Sequence, residues 1–122
     1  LQASYDIGYQ VITMDEYKEL GHEKCTKMIL DRLGDNPIYV TFDLDCLDST
    51  VAPGTANLEP AFKGFNIDEA RKLIQCLKGK NVIGGDVACL MPTKDNPNNI
   101  TSMVAASIMF EIICLISLNL NK

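Results

Sequence analysis

Asp43 and Asp45, with Asp48 three residues on, close the apolar run Pro37-Ile38-Tyr39-Val40-Thr41-Phe42. Such a run reads as a buried strand. On a strand, residues i and i+2 point to the same side with Cα atoms roughly 6.5–7 Å apart. Two carboxylates that close resist ionising together unless a cation lies between them. No Lys or Arg occurs between residues 33 and 62 to supply that charge, so the bare pair would cost stability. The pattern points to half of a divalent-metal site where a strand opens into a loop; the plainer alternative is two loop carboxylates capping backbone amides. Oxygen donors suit hard ions such as Mg²⁺ or Mn²⁺. Such an ion lowers the pKa of a bound water and supplies hydroxide near neutral pH. Asp48 is expected to orient a ligand or the loop, or to cap amides, rather than to bind metal.

The bulk composition narrows the partners. A net charge of −5 argues against nucleic acid or an anionic membrane surface. The five cysteines, Cys25, Cys46, Cys76, Cys89 and Cys114, are odd in number and nowhere spaced as CxxC. They read as free thiols in a reducing compartment, with neither a disulfide framework nor a zinc site. No charged-then-apolar leader opens the chain, and an intracellular setting, cytoplasm or mitochondrion, is expected. The apolar stretch from Val104 to Leu120 is slightly short of the ~20 residues of a membrane span. With Glu111, Ser107 and Ser117 inside it, it reads as a buried terminal helix.

The elements that must hold the acids follow from periodicity. Tyr9 to Thr13 reads as a short strand, followed by a helix capped by Asp15 and running to Leu33. Gly34-Asp35-Asn36-Pro37 stops it. After the strand to Phe42 comes a long loop, Cys46 to about Asn66, with the turn formers Pro53-Gly54-Thr55 and Glu59-Pro60. Asn66 or Asp68 caps the next helix, whose face carries Ile67, Ala70, Leu73, Ile74 and Leu77. Lys78-Gly79-Lys80 ends that helix. Asn81 to Val87 is a strand, Met91 to Asn99 a turn-rich loop, and the last helix starts near Ile100 or Thr101. This alternation predicts one α/β domain over residues 1–122, with a mainly parallel sheet between helix layers. Sites in such sheets lie at the carboxyl ends of the strands. Asp43, Asp45 and Asp86 are therefore expected on one rim.

Asp43-Leu44-Asp45-Cys46-Leu47-Asp48, then Ala52-Pro53-Gly54-Thr55 and Glu59-Pro60, resembles the ureohydrolases, the arginase and agmatinase family. Asn81-Val82-Ile83-Gly84-Gly85-Asp86-Val87 with Pro92 and Asp95, and then Thr101, Ala105-Ala106 and Glu111, resemble the family's later segments in order. The spacing looks closer to agmatinases than to arginases. The resemblance implies a three-layer α/β/α fold. It also implies a pair of Mn²⁺ ions bridged by a hydroxide that attacks a guanidinium carbon and releases urea. Asp43 and Asp45 match one carboxylate pair of that metal site, with Asp48 and Asp86 behind it. A small guanidino substrate, and a homo-oligomer (trimer or hexamer), follow from the same resemblance.

The departures matter equally. The family's His-containing metal motifs have no match here. The one histidine, His22, lies in a polar helical stretch and is expected at a solvent-exposed helix position. The chain thus reads as the C-terminal half of a ureohydrolase, supplying one carboxylate pair and inactive in isolation. Where the family usually places a glutamate that holds the guanidinium, this chain has Cys89. A thiol cannot make a bidentate, charge-assisted bond to a guanidinium. By residue type alone Cys89 reads as small core filler. After Pro53-Gly54-Thr55 come Ala56-Asn57-Leu58, and Phe62 and Lys63 look inserted; Asn57 and Cys89 are the candidate substrate contacts. Two other readings compete. One is a haloacid-dehalogenase-type phosphatase, which fits Phe42-Asp43-Leu44-Asp45 but not Cys46-Leu47. The other is a non-catalytic ureohydrolase-like scaffold or regulatory protein.

Overall fold

Two parallel strands carry the structure: β1 (Ile38–Asp43) and β2 (Val82–Ala88). Their register pairs Val40 with Gly85, Thr41 with Asp86 and Asp43 with Ala88. The computed structural model describes residues 1–58 and 63–120. Around the strands lie α1 (Gln2–Asp6), α2 (Met14–Leu20), α3 (His22–Leu33), α4 (Ile67–Gln75) and α5 (Ile100–Leu120).

β1 is half-buried rather than buried. Ile38 is buried and Val40 and Phe42 pack against the core, while Tyr39, Thr41 and Asp43 face outward. A continuous apolar run suggests cover on both faces. Among the described residues the helices cover one, so two of the three expected layers are present. On the open face the Tyr39 hydroxyl donates to Asp86 Oδ2 at 2.9 Å and Thr41 Oγ1 donates to Asp86 Oδ1 at 2.8 Å. On the covered face β2 carries Gly85. A Cβ there would sit 2.5 Å from the Val40 carbonyl oxygen and 2.8 Å from Ile112 Cγ2. The glycine is what lets α5 lie flat on the sheet.

The helix ends follow local chemistry. Asn66 caps α4 through a reciprocal box with Glu69, and Ala70 and Ile74 are buried below it. α5 is held to α4 by Glu111, whose Oε1 accepts from Arg71 Nε and Nη2 and from Gln75 Nε2 at 2.9–3.0 Å. Ile108 and Ile112 of α5 are completely buried, whereas Met103, Phe110 and Ile113 on its far side are exposed. The terminal helix is therefore buried on one face, not all round. By length and composition it is also long and apolar enough to cross a membrane.

Other expectations are corrected. Tyr9 to Thr13 forms no strand; among the described residues no partner supplies a ladder. Thr13, not Asp15, caps the next helix, in a capping box with Glu16. The single helix expected up to Leu33 is broken at Gly21, where φ is 83°. The turn at Glu59-Pro60 and Phe62 of the expected insertion lie outside the described residues.

Candidate metal centre

Strand β1 ends at Asp43, and the chain curls at once into a 3₁₀ turn, Leu44–Cys46. Completely buried Leu44 anchors that turn. Asp43 Oδ1 accepts the Asp45 N–H at 2.9 Å. The two carboxylates therefore converge through a capped turn, not through the i, i+2 alternation of a strand. Asp45 is also held from the other side. Asn57 donates to it twice, from its backbone N–H at 3.3 Å and from Nδ2 at 3.1 Å. Among the described residues neither Asp43 nor Asp45 forms an ion pair.

Cys89 completes the group. It follows β2 directly, with φ at 67°, a left-handed conformation uncommon outside glycine. Its carbonyl accepts the Ala56 N–H at 3.1 Å, and the Met91 N–H donates to Gly54 O at 2.8 Å. These bonds bracket a bridge between Thr55 and Leu90. One ligand atom each from Asp43, Asp45 and Cys89 lie within 4.8 Å of one another. The Cys89 thiol is pushed up to about 11, first by donating its hydrogen bond to Asp43, then by burial and the charges of Asp43 and Asp45. The neighbouring Cys46 thiol is pushed up to about 12, chiefly by burial and then by the charge of Asp43. Both are protonated thiols near neutrality and poor nucleophiles.

The group passes a geometric test for a divalent ion. Metal–carboxylate bonds of about 2.0–2.2 Å and metal–thiolate bonds of about 2.3 Å put donors on one tetrahedral ion about 3.5 Å apart. Donor atoms within 4.8 Å of one another must close by up to about 1.3 Å, which side-chain rotation supplies. Beside Asp45 opens a cleft of about 350 Å³ walled by Ile12, Met14 and Phe65, with Lys63 at its edge. Lys63 is paired with Asp15 at 3.1 Å.

The other expected site residues are placed differently. Asp48 accepts from Thr50 N and Oγ1 at 2.9 and 2.6 Å, and these bonds, the side-chain one first, hold its carboxyl below the usual range. It orients its own loop. Asp86 does not share the rim with Asp43 and Asp45. It pairs with Thr41, one alternation before the Asp43–Ala88 pair, and ties β1 to β2. Asn57 is spent on Asp45. His22 is half-buried rather than solvent-exposed, sharing hydrogen bonds with Tyr17 Oη at 3.1 Å and Thr26 Oγ1 at 3.4 Å. The local sequence gives no sign that Cys89 reaches Asp43; the parallel register that puts Ala88 opposite Asp43 is the signal that does.

Residues 1–115 match the family described as the Arginase family. The chain belongs to that family. It is 36% identical over 110 residues to an agmatinase of Photorhabdus laumondii, covering 90% of this chain and 35% of the relative. It is 37% identical over 112 residues to a guanidinopropionase of Pseudomonas aeruginosa, covering 92% of this chain and 34% of that protein. The proclavaminate amidino hydrolase of Streptomyces clavuligerus superposes with a TM-score of 0.90 at 31% identity, over 98% of this chain and 39% of that one. The two strands and their helices are thus part of the arginase α/β fold. The chain spans about a third of the length of the curated relatives it matches. Family membership leaves the phosphatase reading without support.

Proposed function

We propose that this arginase-family chain contributes a carboxylate pair to the metal centre of a ureohydrolase-type amidinohydrolase, which cleaves a small guanidino compound and releases urea. The observation that carries the reading is the convergence of Asp43 and Asp45, unpaired by any cation among the described residues, at the carboxyl end of a parallel strand. Asp43 and Asp45 would hold a divalent ion, Mn²⁺ by family resemblance and one of two in the complete site, and such an ion would supply hydroxide near neutral pH. The chain's own residues fix the geometry. Asp43 orients Asp45 through its backbone, Asn57 clamps the Asp45 carboxylate, and Asp86 and Asp48 brace the strand and the loop. The cleft beside Asp45 accepts the aliphatic arm of the substrate. Relatives named agmatinase and guanidinopropionase support the guanidino class.

Two carboxylates and a thiol are too few donors for two ions in full coordination, so the 122-residue chain alone turns over little. The five free thiols support a reducing interior, cytoplasm or mitochondrion. The apolar outer face of α5 supports a homo-oligomer. The test is urea release by the natural protein with Mn²⁺ and agmatine, arginine or guanidinobutyrate. Urea from one of these, lost in Asp43→Asn and Asp45→Asn, is the expected result. Mn²⁺ binding without urea from any of them ends the enzyme reading and leaves a scaffold, which the thiol in the site also favours.

A further inference from the structure

We propose that Cys89 Sγ is a third ligand of the ion held by Asp43 and Asp45, and that it biases this centre away from Mn²⁺ toward thiophilic divalent ions such as Zn²⁺ and Cd²⁺. The inference rests on the metal reading above and goes beyond it in assigning the thiol and the class of ion.

Three observations carry it. The first is reach: the sulfur lies with both carboxylates in a group no more than 4.8 Å across. The second is fixation. The Cys89 carbonyl is pinned by Ala56 N–H, and the next residue bridges to Thr55. The backbone that carries the thiol is therefore already ordered. The third is charge. Among the described residues no cation pairs with Asp43 or Asp45.

Donor softness sets the preference. Carboxylate oxygens alone suit Mg²⁺ or Mn²⁺, whereas a thiolate selects softer ions. On coordination the Sγ–H bond breaks and the proton passes to solvent. A sulfur electron pair replaces one water on the metal, and nothing is oxidised or reduced.

The experiment titrates the natural protein with CdCl₂, ZnCl₂ and MnCl₂, following heat and the ultraviolet sulfur-to-cadmium charge-transfer band. The expected result is one Cd²⁺ bound with that band. Cys89→Ser removes the band and weakens Cd²⁺ and Zn²⁺ by at least ~10-fold, the lower end of what even an outer-shell change costs. Mn²⁺ is affected far less. Cys89→Asp, which puts an oxygen donor in the same place, tightens Mn²⁺ without restoring the band. Cys46→Ser keeps the band. A band that survives Cys89→Ser, or equal weakening of Cd²⁺ and Mn²⁺ in that variant, overturns the proposal alone. Metal binding that Asp43→Asn and Asp45→Asn leave intact, or no binding at all, overturns the metal reading and the proposal with it.

Discussion

Replacing Gly85 with alanine tests whether the sheet and α5 touch as closely as the site requires. The new Cβ would stand 2.5 Å from Val40 O, 2.8 Å from Ile112 Cγ2 and 3.4 Å from Val40 Cβ. Comfortable carbon–oxygen and carbon–carbon contacts begin near 3.3 Å and 3.5 Å. Two of these contacts must therefore open by about 0.7–0.8 Å. Neither neighbour can give way cheaply. Val40 belongs to the ladder with Gly85, and Ile112 is completely buried. Overpacking of this kind costs roughly 1–3 kcal/mol. The stiffer unfolded chain returns about 0.4–1 kcal/mol, leaving a net loss of about 1–2 kcal/mol. With about 2.1 cal/mol/K of unfolding entropy per residue, a chain of 122 residues loses about 4–8 °C in Tm. Gly84 supplies the control. A Cβ there meets only the Tyr39 ring, at 3.0 and 3.1 Å, and that ring is 62% exposed, held only by its exposed hydroxyl bond to Asp86, and can shift by a few tenths of an ångström. Gly84→Ala should stay within about 2 °C of the parent, by the same conversion. Differential scanning calorimetry on both variants reads the contrast. A Gly85→Ala protein that melts with the parent, or a pair that falls equally, refutes the argument that close approach fixes this glycine.

Asn57→Ala should lower Mn²⁺ affinity by ~10–100-fold, as loss of a ligand-orienting partner does, with Tm unchanged because Asn57 is exposed; calorimetric titration checks it. Thr101→Val removes the acceptor for the buried Gly54 N–H, bonded at 2.8 Å. It should cost about 1–3 kcal/mol in urea denaturation and loosen metal binding as well. Stability should fall in acid. Burial pushes Asp95 upward, but hydrogen bonds from Ser102 and Thr101 outweigh it and hold the carboxyl below its usual range. Thr50 does the same for Asp48, and Gln75 with Arg71 for Glu111. A carboxyl lowered in the folded state stabilises above its unfolded value of about 4. That stability is lost as pH drops through the folded value, because the unfolded chain takes up protons first. Tm should hold from neutrality to about pH 5 and decline below about pH 4, with a shallower acid limb in Asp95→Asn.

What the sequence disclosed was local. The cap expected at Asn66 or Asp68, the glycine stop at Gly34 and the terminal helix expected from Ile100 or Thr101 each depend on neighbours a few residues away, and the structure places them at Asn66, Gly34 and Ile100. The carboxylate pair was legible for the same reason, since a strand end and two acids share six residues. What stayed hidden was non-local. A strand at Tyr9–Thr13 requires a ladder partner, which its own side chains do not specify. The cap at Thr13 is a different case: its partner Glu16 is three residues away, so the Thr-x-x-Glu pattern is local and the expectation of Asp15 overlooks it. Asn57 is twelve residues from Asp45, and Cys89 reaches Asp43 only because β1 and β2 run parallel in one register. The turn after Asp43 also changed why the acids meet while leaving the meeting itself intact.

The dependence of the centre on α5 is the less obvious consequence of this arrangement, since that helix is no part of the donor group. Asp95 accepts from the backbone of Asn96, Thr101 and Ser102 and from the Ser102 hydroxyl, at 2.9–3.0 Å, and so fixes the first turn of the helix. Thr101 of that turn takes the Gly54 N–H. A side chain on Gly54 is forbidden, because its Cβ would lie 2.8 Å from Asp95 Cβ. The loop thus has one register against the helix. From that register Ala56 reaches Cys89 and Asn57 reaches Asp45. Asp43 ends strand β1 itself, whereas Asp45 and Cys89, which follow β1 and β2, are held by this loop as well. A shift at the start of α5 therefore moves two donors against the third, while a cavity deeper in the same helix, at Ile112, removes packing energy and leaves the loop in place. Metal affinity and global stability should separate along α5, with the first turn controlling both and the buried middle controlling only the second.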